Sequence, residues 1–339
     1  MNFDKRIYWI DYLKAITMFM VVLGHSGLDD DSILKTWIYG FHMPLFIFAS
    51  GYFVKKSRSV FDELKNDIKA LCIPYLFFSI FLIPFYYIIQ RLSGEHIAES
   101  PFLYIAKRLL MDDFYHCGPI WFLGALLVIK SFFNALLGLF EKGLNATSIA
   151  NLAMIAGVLT LLICDFHAFS VKAAFALLPY YIAGAGCSRL ISKIKSKRIV
   201  VYASIGGLIL YSIISVKNVG IDYDQLKFGD NILVTYMEGL LGCFSMTMMF
   251  SCLSRFKIES LRDIGMNTLT ILGFHSIFIQ VFRFLYKRAF SDSIPLWYLA
   301  TISLVSFMGC YGISLLIIRI CPYAIGRKSK KKQQYTQSL

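Results

Sequence analysis

Ten stretches of this chain of 339 residues are long and apolar enough to cross a bilayer, and nothing else in the sequence limits its fold so sharply. A span needs roughly 20 mostly apolar residues. The stretches run over about 7–25, 36–54, 70–90, 118–140, 148–164, 171–187, 199–216, 231–253, 267–285 and 296–319. Hydrocarbon offers no partner to a backbone N–H or C=O, and these runs lack the alternation of barrel strands, so each is expected to be a helix. The expected fold is therefore all-α, a polytopic integral membrane bundle of about ten transmembrane helices with no soluble domain between them. A content of 57% hydrophobic and 16% charged residues agrees that the solvent is lipid.

The formal charge of +13 would suit a nucleic-acid partner if it were spread over a soluble surface, so its placement decides its meaning. Of the 34 Lys and Arg, 21 fall in the terminal segments and the connections on their side, and 8 fall in the opposite connections. By the positive-inside rule both termini are cytoplasmic. The basic loops, such as Lys55-Lys56-Ser57-Arg58, then face anionic lipid headgroups, and no nucleic-acid partner is needed. Residues 1–325 are expected to form the membrane-embedded domain, and 326–339 a basic, disordered cytoplasmic tail. The first apolar run contains Asp11 and Lys14 and is followed by no small-residue cleavage site, so it is expected to be a retained span. The 8 Cys are scattered singly, with no metal-ligand spacing, and no metal is expected.

Chemistry gathers on the first span. Lys14 and His25 are eleven residues apart, which on a helix is only about 20° past three full turns and roughly 16 Å along the axis. They share one face. Asp11, three residues before Lys14, is placed to pair with it and lower the cost of burying either charge. On residues alone two readings stand: Lys14 snorkels to the interface beside Asp11 while His25 caps the helix among the headgroups, or the stripe is a site.

Residues 41–53 read Phe-His-Met-Pro-Leu-Phe-Ile-Phe-Ala-Ser-Gly-Tyr-Phe. With the preceding Asp-x-x-Lys and its His eleven residues after the Lys, this resembles the integral-membrane acyltransferase family 3, bacterial O-acetyltransferases of surface carbohydrates. The resemblance continues through Ile73-Pro74-Tyr75, Trp121-Phe122-Leu123, Pro179-Tyr180-Tyr181-Ile182-Ala183-Gly184 and Gly265-x-Asn267 leading to His275. It implies that His25 is the catalytic base, that Lys14 serves the donor, and that the donor substrate is acetyl-CoA. It implies too an acceptor that is a surface glycan or its lipid-linked precursor, in capsule or exopolysaccharide modification at a bacterial plasma membrane. Relatives often carry two basic residues three apart before Ile-Pro; here Lys69 fills the second place, and Asn66 stands at the first with Lys65 adjacent.

Attack of a hydroxyl on a thioester requires a base, and an imidazole with a pKa near 6.5 suits that task. The oxyanion needs donors, for which Ser50, Tyr52, Trp121 and His275 are candidates. His116 and His42 are candidate acceptor contacts, and Lys69 a candidate donor contact. Among charges within spans, Glu238 can orient His25 or pair with Lys130 or Arg283, a structural pairing included; snorkelling is the simpler expectation for Arg283. Two other classes fit a polytopic chain: a glycan or lipid transporter, which predicts inverted repeats with broken helices that are not evident, and a polysaccharide polymerase, which predicts a large Arg-rich outer loop that is absent.

Overall fold

The computed structural model describes residues 7–54, 59–92, 100–104, 118–140, 145–163, 170–191 and 196–327. Thirteen helices are described: α1 Tyr8–Gly24, α2 Ile33–Tyr39, α3 His42–Tyr52, α4 Val60–Asp67, α5 Ile73–Leu92, α6 Trp121–Phe140, α7 Ala146–Ile163, α8 Val171–Ile191, α9 Lys197–Ser215, α10 Ile232–Ser251, α11 Glu259–Met266, α12 Thr268–Ala289 and α13 Leu296–Ile320. The only strands among the described residues are β1 Ile221–Asp222 and β2 Lys227–Phe228, an antiparallel pair between α9 and α10. The described residues are all-α apart from that hairpin.

Six described helical segments are long and apolar enough to cross a membrane: Val60–Leu92, Gly118–Phe140, Lys197–Ser215, Ile232–Arg255, Thr268–Ala289 and Leu296–Ile320. Thr147–Ile163 and Val171–Cys187 are shorter apolar helices. The first two stretches of the sequence differ from plain spans. The first is a helix of 17 residues. The second, expected as one helix over 36–54, is two: α2 ends at Tyr39, and α3 begins at His42 after a break at Gly40-Phe41. Phe41, at φ −140° and ψ −14°, leaves helical geometry there.

Local chemistry sets several starts. Asn231 caps α10, its side-chain oxygen accepting from the N–H groups of Leu233 (2.9 Å) and Val234 (3.3 Å), and Ser32 caps α2 through the N–H of Lys35. Between α4 and α5 the chain does not break but widens into a π-helical stretch, Ile68–Cys72.

The described residues belong to two compact units. The first comprises Met1–Lys55, Ala176–Thr268 and Phe278–Met308. Its helices meet through glycine. A Cβ at Gly51 of α3 would lie 2.0 Å from the carbonyl oxygen of Tyr181 on α8, and one at Gly184 of α8 would lie 2.0 Å from that of Phe48 on α3. The two backbones are in reciprocal contact, the device by which small residues let helices associate in lipid. Gly265 of α11 does the same for α1, where a Cβ would lie 1.9 Å from the carbonyl oxygen of Asp11. Tyr12 fastens this joint further: its hydroxyl donates to the carbonyl of Phe256 and accepts from the N–H of Ile258, both at 2.7 Å.

The second unit comprises Lys56–Phe175, Leu269–Ile277 and Gly309–Leu339. Within it α5 packs on α12, with Phe77, Phe78 and Phe81 surrounding Phe274 edge-to-face, and Phe78 filling the space left by Gly273. Asp67, buried at the end of α4, pairs with Lys130 of α6.

Candidate active site

The first unit holds the two ends of the stripe foreseen on α1. At one end Asp11 is buried and its carboxylate lies 3.7 Å from Lys14 Nζ, whose side chain keeps 34% of its exposure. Gly265 and Tyr12 clamp the backbone of this turn, so the ion pair sits on a fixed platform. Nearby on the same helix, Trp9 meets Tyr52 of α3 edge-to-face at 5.6 Å, and Ser50 lies in the last turn of α3, its carbonyl accepting from the N–H of Phe53.

At the other end His25 terminates α1, its N–H donating to the carbonyl of Val21 at 3.0 Å, so the helical register runs through it. Its ring stands in a cluster with two others brought by the α2–α3 break. Tyr39 Oη lies 3.4 Å from His25 Nδ1. The ring of His42 lies 6.4 Å from that of His25 and 4.8 Å from that of Tyr39. His42 Nδ1–H donates to the carbonyl of Ile38 at 2.8 Å, which fixes its tautomer and leaves Nε2 as the acceptor nitrogen. An uninterrupted helix over 36–54 would put Tyr39 and His42 on ordinary i, i+3 rungs, whereas the break gives each its own orientation.

Glu238 belongs to the same break. It is fully buried on α10, and a Cβ at Gly40 would lie 3.0 Å from its Oε1 and 2.6 Å from Tyr211 Oη. Asn218 is near enough to influence the carboxyl, yet neither oxygen meets hydrogen-bond geometry with any described residue. Tyr211 Oη donates to the carbonyl of Trp37, and Trp37 Nε1–H donates to Ser212 Oγ at 2.9 Å. Trp37, Phe41 and Tyr211 pack edge-to-face at 5.0–5.6 Å, an aromatic buttress that holds the break open. The pairings weighed for Glu238 from the sequence are not seen among the described residues: Lys130 pairs with Asp67, and the Arg283 guanidinium packs against Gly27.

The hairpin lies beside α2. Asp222 Oδ1 accepts from the N–H groups of Asp224 (3.0 Å) and Gln225 (3.4 Å). Burial pushes the Asp222 carboxyl up, and burial together with the charge of Asp222 pushes Asp224 up to about 7. The hydrogen bond and charge of Lys35 hold the Asp30 carboxyl below its usual range.

Three further residues singled out in the sequence belong to the second unit. Lys69 is exposed on the π-helical stretch, where its carbonyl oxygen lies 3.1 Å from the position a Cβ at Gly326 would take. Trp121 is buried at the start of α6. His275 is fully buried on α12, and Nδ1–H donates to the carbonyls of Ile271 (2.9 Å) and Leu272 (3.0 Å). His116 lies outside the described residues. No group of three or more His, Cys, Asp or Glu among the described residues has metal-binding geometry. Tyr39 was missed by the sequence reading, because a tyrosine inside an apolar run carries no signal until the chain is seen to bend beside it.

Together these features describe a multi-pass α-helical membrane protein with a histidine-centred polar cluster at the end of its first helix. The chain belongs to acyltransferase family 3: the family model described as an acyltransferase domain matches residues 7–315, nearly its whole length. Neither the curated proteins nor the solved structures contain a match. It is accordingly a membrane acyltransferase.

Proposed function

We propose that this enzyme moves an acetyl group from cytoplasmic acetyl-CoA to a hydroxyl of a cell-surface polysaccharide or its lipid-linked precursor, as in capsule or exopolysaccharide modification. The observation that carries the reading is the His25–Tyr39–His42 cluster at one end of α1 with the Asp11–Lys14 pair about 16 Å away at the other. That separation forbids proton exchange between Lys14 and an acceptor at His25. Lys14 therefore serves the donor, whose long arm follows the helix, and His25 serves the acceptor.

In the tautomer that carries its proton on Nδ1, beside Tyr39 Oη, His25 keeps the Nε2 lone pair and takes the proton of the attacking hydroxyl there. Sulfur leaves as the oxygen–acyl bond forms, and the proton held by the imidazole goes to the departing thiolate or to water. Glu238, on α10 against Gly40 of the break that orients Tyr39 and His42, balances the charge when His25 becomes an imidazolium. Ser50 and Tyr52, on α3 toward the Lys14 end, are candidates for holding the donor, as is Lys69; Trp121 and His275 are the candidates for polarising the carbonyl, and His116 for contact to the acceptor. Membership of an acyltransferase family favours this over a transporter or a polymerase.

The test compares O-acetyl signals of surface glycan by NMR in cells carrying wild type, His25→Ala or Lys14→Ala at matched expression. The signals should vanish for His25→Ala and fall steeply for Lys14→Ala. Normal acetylation in the His25 variant would remove that residue from the mechanism.

A further inference from the structure

Arg283 is a charged residue beside His25 whose chemistry the reaction above does not use. It lies on α12, within the first unit, and its guanidinium is seated directly against Gly27, two residues after His25. A Cβ at Gly27 would lie 2.4 Å from Arg283 Cζ, 2.6 Å from Nε and 2.8 Å from Nη1. Gly27 has φ +102°, so the turn leaving α1 both bends in a way that favours glycine and leaves the space the guanidinium fills. The α12 turn that carries Arg283 is fastened to α13: Tyr298 donates to the carbonyl of Phe282 at 3.2 Å, and its ring lies tilted against that of Tyr286 at 4.4 Å.

The guanidinium is charged at any working pH and carries five donors. Its Nε is buried and has no hydrogen-bond partner, and no carboxylate among the described residues pairs with it. None of the acids of the first unit among the described residues, the exposed Asp29 and Asp31 after Gly27 included, forms an ion pair with it. Asp30 pairs with Lys35, Asp222 accepts from two backbone amides, Asp292 lies 3.9 Å from Lys287, and Glu238 is enclosed beside Gly40 and Tyr211. A cation kept partly buried beside a site without a counter-ion is costly unless an anion comes to it.

We propose that Arg283 is an anion-binding residue of the His25 site, and that the acceptor presents an oxyanion which the guanidinium holds while a nearby hydroxyl faces His25. This rests on the acceptor being brought to His25. Two sources supply the same chemistry: the carboxylate of an acidic sugar, or the phosphate that joins a glycan to its lipid carrier. Either accepts from a guanidinium in paired, parallel hydrogen bonds. The role is positional and sets which acceptors are chosen.

The experiment measures binding, so that its outcome is separate from that of the transfer reaction. Full-length protein carrying His25→Ala is placed in nanodiscs at low salt, and the affinities of methyl glucuronide and methyl glucoside, and of geranyl diphosphate and geraniol, are determined. At least one anionic probe should bind about tenfold or more tightly than its neutral counterpart, and Arg283→Gln should abolish that preference while leaving the neutral probes unchanged. Preference for the glucuronide alone assigns the anion to the sugar, and preference for the diphosphate alone assigns it to the carrier. Should Arg283→Gln not fold, Arg283→Lys and Gly27→Ala replace it, and both should weaken the anionic probe more than the neutral one. Equal binding of anionic and neutral probes, or a preference that survives these substitutions, overturns the proposal. Loss of acetyl transfer in the wild type would overturn the function and leave this measurement standing.

Discussion

Replacing Gly184 by alanine, and separately Gly186 two residues further along α8, tests whether α3 and α8 touch through their backbones. A Cβ at Gly184 would lie 2.0 Å from the carbonyl oxygen of Phe48, while one at Gly186 meets nothing within 4 Å. Ordinary van der Waals contact begins near 3.4 Å, so Gly184→Ala must drive the helices apart by about 1.4 Å at that point. The obstructing atom is backbone and has no rotamer to adopt. Overpacking of this kind costs about 1–3 kcal/mol, and the upper end applies here. Alanine returns roughly 1 kcal/mol through its better helix propensity, leaving a net loss of about 2 kcal/mol. At about 2–4 °C per kcal/mol, Gly184→Ala should lower the melting temperature by roughly 4–8 °C. Gly186→Ala keeps the propensity gain without the clash and should melt at or slightly above wild type. The assay is tryptophan fluorescence of purified protein in detergent, all variants at one scan rate. A Gly184 variant as stable as the Gly186 variant would refute the close approach, and with it the account of how Ser50 and Tyr52 are held.

Other expectations follow from the same geometry. Tyr12→Phe removes the hydroxyl that bridges Phe256 and Ile258, and should cost about 1–3 kcal/mol in chemical unfolding. Asp67→Asn should destabilise by about 2–3 kcal/mol, less than a fully buried pair because Lys130 is partly exposed, and adding Lys130→Met should recover part of the loss. Asp224, with its folded pKa raised to about 7 against an unfolded value near 3.9, is protonated in the fold where the unfolded chain has already ionised. Stability contributed by the neutral form is therefore present below about pH 4 and lost as pH rises through 7. Asp224→Asn should flatten the fall in melting temperature between pH 4.5 and 7.5; an unchanged slope would contradict the assignment.

What could be read from the sequence was what lies close along the chain. Asp11 and Lys14 pair because three residues on a helix bring side chains together. The apolar stretches at 118–140, 231–253 and 296–319 are helices because hydropathy reports burial in lipid window by window. Averaging over such a window also hid the break at Gly40-Phe41, since two short helices are as apolar as one long one. Partners distant along the chain were invisible: Lys130 with Asp67, Arg283 with Gly27, and Tyr39 with His25 each depend on a turn or a packing choice that no local pattern records. The glycines fall between. Gly51, Gly184 and Gly265 stood out as parts of motifs, and only the structure gives the reason, that each admits the carbonyl of a neighbouring helix.

The joint between α1 and α11 has a consequence for how the protein is made. The helix bearing His25 is synthesised first, yet the backbone it rests on, at Gly265 and at the Phe256–Ile258 loop, is synthesised some 250 residues later. At a ribosome pace of about 5–20 residues per second, α1 waits on the order of ten seconds or more for its lasting neighbour. During that interval a helix of 17 residues bearing a lysine and an aspartate has to be accommodated by the insertion machinery or by the lipid itself. Nascent chains stalled before residue 256 should therefore leave Asp11 open to carboxylate labelling, and chains released after residue 266 should shield it.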